Sequence, residues 1–271
     1  MSEPQQQIVP HIIIPCAGEG KRFKDAGYTE DKPLIRVGGR RLIDWVLDCI
    51  PKSWYSNLVF IVRYDQSRLI DELSDLIDVN MQKVIPLVGP TQGAACSVLA
   101  AAVGLPPDEP VLVMNSDQWF KIGSIEDSYP AIGDMRSLHI HALRTRLDGF
   151  ILTFPGTGPA WSYAVTNGAA DANRVIHVIE KKQVSPYATV GAYWWRRAGD
   201  LVRSVCAMIA VGEKTNDEFY LAPSLNFMPL SDKNVQIIPV QEFHGLGTPE
   251  QVRAFEQHLA TQQPELAEIC A

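Results

Sequence analysis

Apolar residues recur along this chain with two different periods. Ile12, Ile13 and Ile14 form a continuous run that breaks at Pro15-Cys16-Ala17-Gly18-Glu19-Gly20-Lys21-Arg22, which predicts a buried strand ending in a glycine-containing loop. Leu42, Ile43, Val46, Leu47 and Ile50 then fall at helical spacing, with Trp45 filling out the face. Leu58–Val62 reads as a short strand, and Leu69, Ile70, Leu73, Leu76 and Ile77 as an amphipathic helix. Val84–Val88 predicts a strand, Ala94–Val103 a helix of small residues, and Val111–Met114 another buried strand. Strands alternating with helices in this way imply βαβ units and a mainly parallel sheet.

From about Leu138 the pattern changes. Leu138–Leu143, Phe150–Phe154, Trp161–Val165, Val175–Ile179 and Thr189–Trp195 are rich in β-branched and aromatic residues, which predicts added, partly antiparallel strands. Leu201, Val202, Val205, Met208 and Ile209 give one more amphipathic helix, and Thr248-Pro249-Glu250-Gln251 reads as a capping box opening the last. The expected class is α/β, a Rossmann-like mixed sheet flanked by helices. No linker divides the chain, so 1–271 is read as one domain with halves at about 8–137 and 138–262.

Composition narrows the classes of partner. The 271 residues are 46% hydrophobic and 20% charged, ordinary for a globular protein, and the net charge of −7 argues against nucleic acid or an anionic membrane as partner. The basic cluster Lys21, Arg22, Lys24 is therefore a local feature. MSEPQQQIVP lacks the pattern of a secretion signal, and no apolar run approaches the roughly 20 residues of a membrane helix. Five scattered cysteines (Cys16, Cys49, Cys96, Cys206, Cys270) without C-x-x-C spacing fit free thiols in a reducing cytoplasm. None of the six histidines is assigned to catalysis.

Four places carry candidate chemistry. At the first loop, Gly18 and Gly20 allow close backbone approach, successive N–H groups can cradle an anion, and Lys21, Arg22 and Lys32 add positive charge. Phe23 stands where a dinucleotide fingerprint needs its third glycine, and Arg22 where a Walker loop needs Ser or Thr. An ordinary strand-to-helix turn with solvated basic residues is the competing reading. Gly93, with Gln92 beside it, could admit a nucleobase, or simply start a helix. Asp117 follows a buried strand at the sheet edge where α/β ligands bind; it suits Mg2+, or a turn. Glu180-Lys181-Lys182 ends another strand, as a site or as a solvated tip.

Ala17-Gly18-x-Gly20-x-Arg22-Phe23, Lys32-Pro33-Leu34 and Val37-Gly38-Gly39-Arg40-x-Leu42-Ile43 resemble the opening of the sugar-phosphate nucleotidyltransferases, which show G-G-x-G-T-R-L, P-K-P-L and v-x-g-k-p-l-i in that order. Further likenesses in order extend to Phe243–Val252, so the resemblance covers nearly the whole chain. It implies the nucleotide-diphospho-sugar transferase fold, with nucleotide in the first half and acceptor in the second. The implied reaction joins an NTP to a phosphorylated small-molecule acceptor, by default a sugar 1-phosphate, and releases pyrophosphate. No general base is needed, because an acceptor phosphate is already an anion.

The resemblance also implies roles. Ala17, Gly18, Gly20, Lys21, Gln92 and Gly93 would bind nucleotide, while Arg22 and Lys32 neutralise its phosphates. Asp117 would hold Mg2+, and Glu180, Lys181, Gly191 and Glu218 would meet the acceptor, with Lys181 on its phosphate. Two positions depart from the family: Lys182 replaces a proline, and Gly245 stands where W-x-D-x-G-T-P has a second metal-binding Asp. I-P-C-A-G, Q-G-A-A-C, N-S-D-Q, W-S-Y-A and G-L-G-T-P-E are similar to the capsule and surface-polysaccharide branch. A cytidylyltransferase for a non-sugar phosphate, a glycosyltransferase of related fold and a non-catalytic nucleotide-sugar-binding regulator stay open, as does a homo-oligomer. A glycosyltransferase would usually show D-x-D where Asn115-Ser116-Asp117 stands.

Overall fold

The Ile12–Ile14 run lies at the centre of the sheet. A computed structural model of the chain describes residues 8–76, 84–123, 132–168 and 171–269, with side chains as far as 262, so Ile77 and Cys270 lie outside the described residues. The three isoleucines form β1 (His11–Pro15) and are fully buried. Burial on both faces is the mark of a parallel strand covered by helices on each side, and each such side chain contributes about 1.5–3 kcal/mol. Alternation splits them: Ile12 and Ile14 join one hydrophobic cluster, Ile13 the other.

β1 pairs in parallel with β4 (Leu58–Arg63) and β6 (Val111–Met114), and β4 with β5 (Val84–Leu87). A small hairpin, β2 (Arg36–Val37) and β3 (Arg40–Arg41), and helices α1 (Lys21–Asp25), α2 (Leu42–Leu47), α3 (Ser67–Ser74) and α4 (Ala94–Ala102) fill the connections. The expected βαβ half is therefore present.

The second half adds antiparallel strands to the same sheet. β11 (Tyr187–Trp195) pairs antiparallel with β6, with β8 (Gly149–Pro155) and with β9 (Ser162–Thr166), while β9 pairs with β10 (Val175–Glu180). β12 (Val235–Pro239) runs parallel to β8. Among the described residues, nine strands share this sheet, with β10-β9-β11-β6-β1-β4-β5 as its main path. Outside it, β7 (Gln118–Lys121) pairs antiparallel with β13 (Glu242–Gly245). Helix α6 (Ala198–Val211) packs on the α4 side, and α7 (Pro249–Ile269) closes the chain.

Two expectations need correction. Leu138–Leu143 is not a strand; it lies in helix α5 (Met135–Arg144). Asp134 and Ser137 form a capping box there, and Met135, Leu138, His139 and Ala142 are buried at i, i+3, i+4, i+7. His139 conceals that period, because its imidazole is buried between the rings of Trp54 and Trp194 with a hydrogen-bond partner in the Ile8 carbonyl at 2.7 Å. At α7, Thr248 Oγ1 accepts from Gln251 N–H as expected, but the Gln251 side chain accepts from Gly247 N–H rather than from the cap residue itself.

Candidate active site

The carboxyl ends of β1 and β6 open into a cleft of about 1020 Å³. After β1 the chain turns at Gly20, whose left-handed backbone (φ 64°) starts α1, and buried Phe23 anchors that helix. Ala17, Gly18, Gly20, Lys21 and Arg22 all line the cleft. The loop is held from behind by Arg63 at the end of β4, which is 8% exposed. Arg63 Nη1 donates to the carbonyls of Ala17 and Gly18, each at 3.1 Å. Its own N–H donates to Gln66 Oε1 at 2.7 Å, and Gln66 Nε2 donates to Asp31 Oδ1 at 2.8 Å. One buried network thus spans the glycine loop and the segment that presents Lys32.

Lys32 Nζ lies 2.5 Å from Asp117 Oδ2, beside the loop, where a Cβ on Gly20 would come 3.5 Å from Lys32 Cβ, and both side chains are partly exposed. Cys16, also in the lining, is inert as a nucleophile: burial pushes its thiol up to about 12, with Ser116 and Lys32 opposing the shift only in part.

Two glycines of the cleft have positive φ and are closely approached by neighbouring protein atoms. Gly93 has φ 132°, and a Cβ there would stand 2.5 Å from the carbonyl oxygen and 2.6 Å from the nitrogen of Phe219. Phe219 is bonded into the same turn, donating to the Gln92 carbonyl at 2.8 Å and accepting from Ala95 N–H at 3.0 Å. Gln92 itself is exposed and is not part of the lining. Gly191 has φ 82°, and its Cβ would lie 2.3 Å from both Asn115 Nδ2 and Gln118 Oε1. Its carbonyl accepts from Asn115 N–H at 2.8 Å and from Gln118 Nε2 at 3.0 Å. β11 therefore clamps both ends of Asn115-Ser116-Asp117-Gln118 and so fixes Asp117.

On the opposite wall stand Glu180, Lys181, Glu218 and Tyr220. The Glu180 carboxylate accepts from Ser162 Oγ. Burial raises its pKa first of all, while the Ser162 hydrogen bond and nearby Lys181 pull it down and Glu218 pushes it up. Lys181 takes a left-handed backbone (φ 54°), donates its N–H to the Trp161 carbonyl at 3.0 Å and reaches Tyr220 with Nζ. A left-handed lysine costs roughly 1–2 kcal/mol, so the turn is held by its surroundings. Lys182 points away, exposed and outside the lining.

The donor set suits a hard cation held by few protein ligands. Among the described residues, no trio of His, Cys, Asp or Glu gathers at Asp117. β13 passes close by: Gly245 pairs with Gln118, Leu246 N–H donates to the Asp117 carbonyl at 2.7 Å, and a Cβ on Gly247 would come 2.9 Å from Asp117 Oδ2. Asp117 suits Mg2+, which keeps several waters and takes its other oxygens from substrate phosphates, provided that Lys32 Nζ, 2.5 Å from Oδ2, moves to those phosphates as they bind.

The structure brings every residue given a role in the site to this cleft except Gln92, while Lys24 and Lys182 lie outside its lining. Arg63, Gln66, Asn115, Gln118, Ser162 and Tyr220 hold those residues in place and were not singled out individually. A clue to Arg63 was present in a charged residue closing the apolar run Leu58–Val62.

Residues 12–128 match the family model of the MobA-like NTP transferase domain. That span carries the loop, Lys32, Gly93 and Asp117. No curated protein sequence matches the chain. Among solved structures, the nucleoside-diphosphate-sugar pyrophosphorylase from Vibrio cholerae RC9 is similar at 24% identity and TM-score 0.72, over 91% of this chain and 99% of that one. UDP-glucose pyrophosphorylase from Acinetobacter baumanii is similar at 15% identity and TM-score 0.63, over 97% and 99%. The inositol-1-phosphate CTP transferase from T. maritima is similar at 14% identity and TM-score 0.61, over 90% and 92%. The fold is that of the nucleotide-diphospho-sugar transferases.

Proposed function

We propose that this chain, whose residues 12–128 match the MobA-like NTP transferase domain, is a nucleotidyltransferase that joins an NTP to a phosphorylated acceptor and releases pyrophosphate. The observation that carries this reading is the meeting of Arg22, Lys32 and Lys181 with Asp117 on the walls of one cleft. Several cations lining one cleft, with Lys32 paired to Asp117, suit a reaction in which several phosphates must be brought together.

The acceptor phosphate oxygen attacks the α-phosphorus in line. A bond forms between that oxygen and phosphorus, the bond to the β-phosphate bridge breaks, and pyrophosphate leaves with the electron pair. No proton has to be removed, so catalysis is positioning and charge stabilisation. Ala17, Gly18, Gly20 and Lys21 cradle the nucleotide phosphates, with Gly93 nearer the base and Gln92, outside the lining, left without a role. Arg22 and Lys32 offset charge on the transferring and leaving phosphates. Mg2+ bound at Asp117 would supply further neutralisation of the phosphate oxygens. Lys181, steered by Tyr220, holds the attacking phosphate, and Glu180 and Glu218 meet acceptor hydroxyls beside Gly191. In this reading 8–137 serves the nucleotide and 138–262 the acceptor.

The default acceptor is a sugar 1-phosphate, and the product a cytoplasmic precursor for capsule or other surface glycan. A polyol phosphate activated with CTP is the second reading, favoured by the likeness to the inositol-1-phosphate CTP transferase. Among the described residues, no helix is long and apolar enough to cross a membrane. An NTP labelled at the α-phosphorus tests the reaction: label should pass to the acceptor product and be absent from pyrophosphate. Label remaining in free NMP, with no acceptor-linked product, would refute it.

A further inference from the structure

The far side of β13 carries a second group of chemically capable side chains. Phe243 and Gly245 line the cleft. By strand alternation Glu242 and His244 face the other way. There they meet His258 of α7. His244 Nε2 and His258 Nε2 each lie 2.9 Å from the same atom, Glu242 Oε1, and the two imidazole centroids are 4.4 Å apart. The three ligand atoms lie within 4.8 Å of one another, and among the described residues this is the single His, Cys, Asp or Glu trio so placed. All three side chains are between 22% and 30% exposed. Phe255 backs both imidazoles, its ring centroid 4.8 Å from His244 and 6.1 Å from His258, and Trp119 lies 5.7 Å from His244.

We infer that Glu242, His244 and His258 form a binding site for a divalent transition metal of the zinc class. Zinc takes imidazole nitrogen at roughly 2.0–2.1 Å and carboxylate oxygen at roughly 2.0–2.2 Å, so neighbouring ligands around one tetrahedral ion stand about 3.3–3.6 Å apart. The two 2.9 Å separations need to widen by about half an ångström, and the two imidazole nitrogens, within 4.8 Å of each other, settle to the same spacing. Two imidazoles select against magnesium and calcium, which prefer oxygen, and so separate this site from the one at Asp117. Three protein ligands leave a fourth position for water. Gln262 Nε2, 3.0 Å from His258 Nε2, turns aside when the metal takes that nitrogen. Lys121, opposite Glu242 in the β7 register, is the cation facing the carboxylate from the neighbouring strand.

The consequence is a tie between α7 and β13. Both elements also serve the cleft, α7 through Gln251 on Gly247 N–H and β13 through Gly245. A metal here therefore braces the wall behind Asp117 without entering the cleft, and the inference rests on no reading of the reaction.

The test uses the full chain, stripped of metal and titrated calorimetrically with zinc chloride above the histidine titration range. One zinc per chain should bind, with magnesium failing to compete. Glu242→Gln, His244→Ala and His258→Ala should each weaken binding by at least about tenfold, the loss typical even for residues that merely support a metal ligand. Circular dichroism checks that each variant is folded, and His258→Gln provides a milder change if His258→Ala is not. Cobalt substitution reads the ligands directly: d–d bands without a thiolate charge-transfer band are expected. Absence of saturable zinc binding, affinity unchanged in a folded variant, or a thiolate band pointing to cysteine would each overturn the inference.

Discussion

Gly93→Ala separates two explanations of the same glycine. If Gly93 served only to admit a nucleobase, alanine would raise the KM for NTP and leave the fold alone. The structure gives a different expectation. The new methyl would sit 2.5 Å from the Phe219 oxygen and 2.6 Å from its nitrogen, and these are backbone atoms that cannot rotate away. The backbone itself, at φ 132° and ψ 169°, lies in a region almost reserved for glycine, which costs an alanine about 1–3 kcal/mol. Overpacking typically adds about 1–3 kcal/mol. Together these amount to roughly 2–6 kcal/mol, a large part of the ~5–15 kcal/mol that holds an ordinary protein folded. Because Phe219 sits between Glu218 and Tyr220 on the cleft wall, the same shift should disturb the acceptor side. Urea unfolding, followed by circular dichroism, should show a lower midpoint with little change in slope. A midpoint equivalent to within about 0.5 kcal/mol of the parent, together with a raised NTP KM, would refute the close-approach explanation.

Arg22→Ala and Lys32→Ala should each lower turnover by about 10²–10³, the scale of losing one strong transition-state donor; stability should fall by no more than about 1 kcal/mol in Arg22→Ala and by more in Lys32→Ala, which leaves the partly buried Asp117 without its partner. Near-normal turnover would remove that residue from the mechanism. Lys181→Ala should chiefly raise the acceptor KM, since a contact with the acceptor phosphate is kept from ground state to transition state; an effect confined to the NTP would place Lys181 on the other substrate. Glu180 holds its proton to higher pH in the folded chain than its ordinary 4.5, because of burial. It therefore costs no stability below that value and destabilises as pH rises through the raised folded value. Glu180→Gln should accordingly gain stability relative to the parent as pH rises, and parallel pH profiles would contradict this. Gly245→Asp should tighten Mg2+ binding to the nucleotide-free protein, since its Cβ meets only the movable Gln251 amide at 2.8 Å and the Trp161 ring edge at 3.0 Å; calorimetry showing unchanged affinity would argue against a second ligand position there.

The parallel half of the fold was legible because its signals are local. Ile12–Ile14 and Val111–Met114 are continuous apolar runs in strands buried on both faces, and the alternating helices fix the class. Arg22, Lys32, Asp117 and Lys181 stand after strands or in the loops that follow them, where such sheets bind ligands, but a turn or a solvated tip reads as well there, and the resemblance to the nucleotidyltransferases is what gave them roles. What the sequence concealed depends on distant partners. Arg63 holds carbonyls 46 and 45 residues earlier, so nothing near it announces the contact. Gly93 and Gly191 are recognisable as glycines, but Phe219, Asn115 and Gln118, which require them, are known only from the packing. The α5 segment was misread for another reason: a histidine in an apolar face breaks the helical period unless its burial is already known.

The central claim is most directly tested by measuring pyrophosphate across a matrix of the four NTPs and a panel of phosphorylated acceptors, with and without Mg2+. The account predicts pyrophosphate only where NTP, a matching acceptor and divalent metal are all present, and its loss in Arg22→Ala. Transfer of sugar from a ready-made nucleotide-sugar, with no pyrophosphate formed in any cell of the matrix, would contradict it.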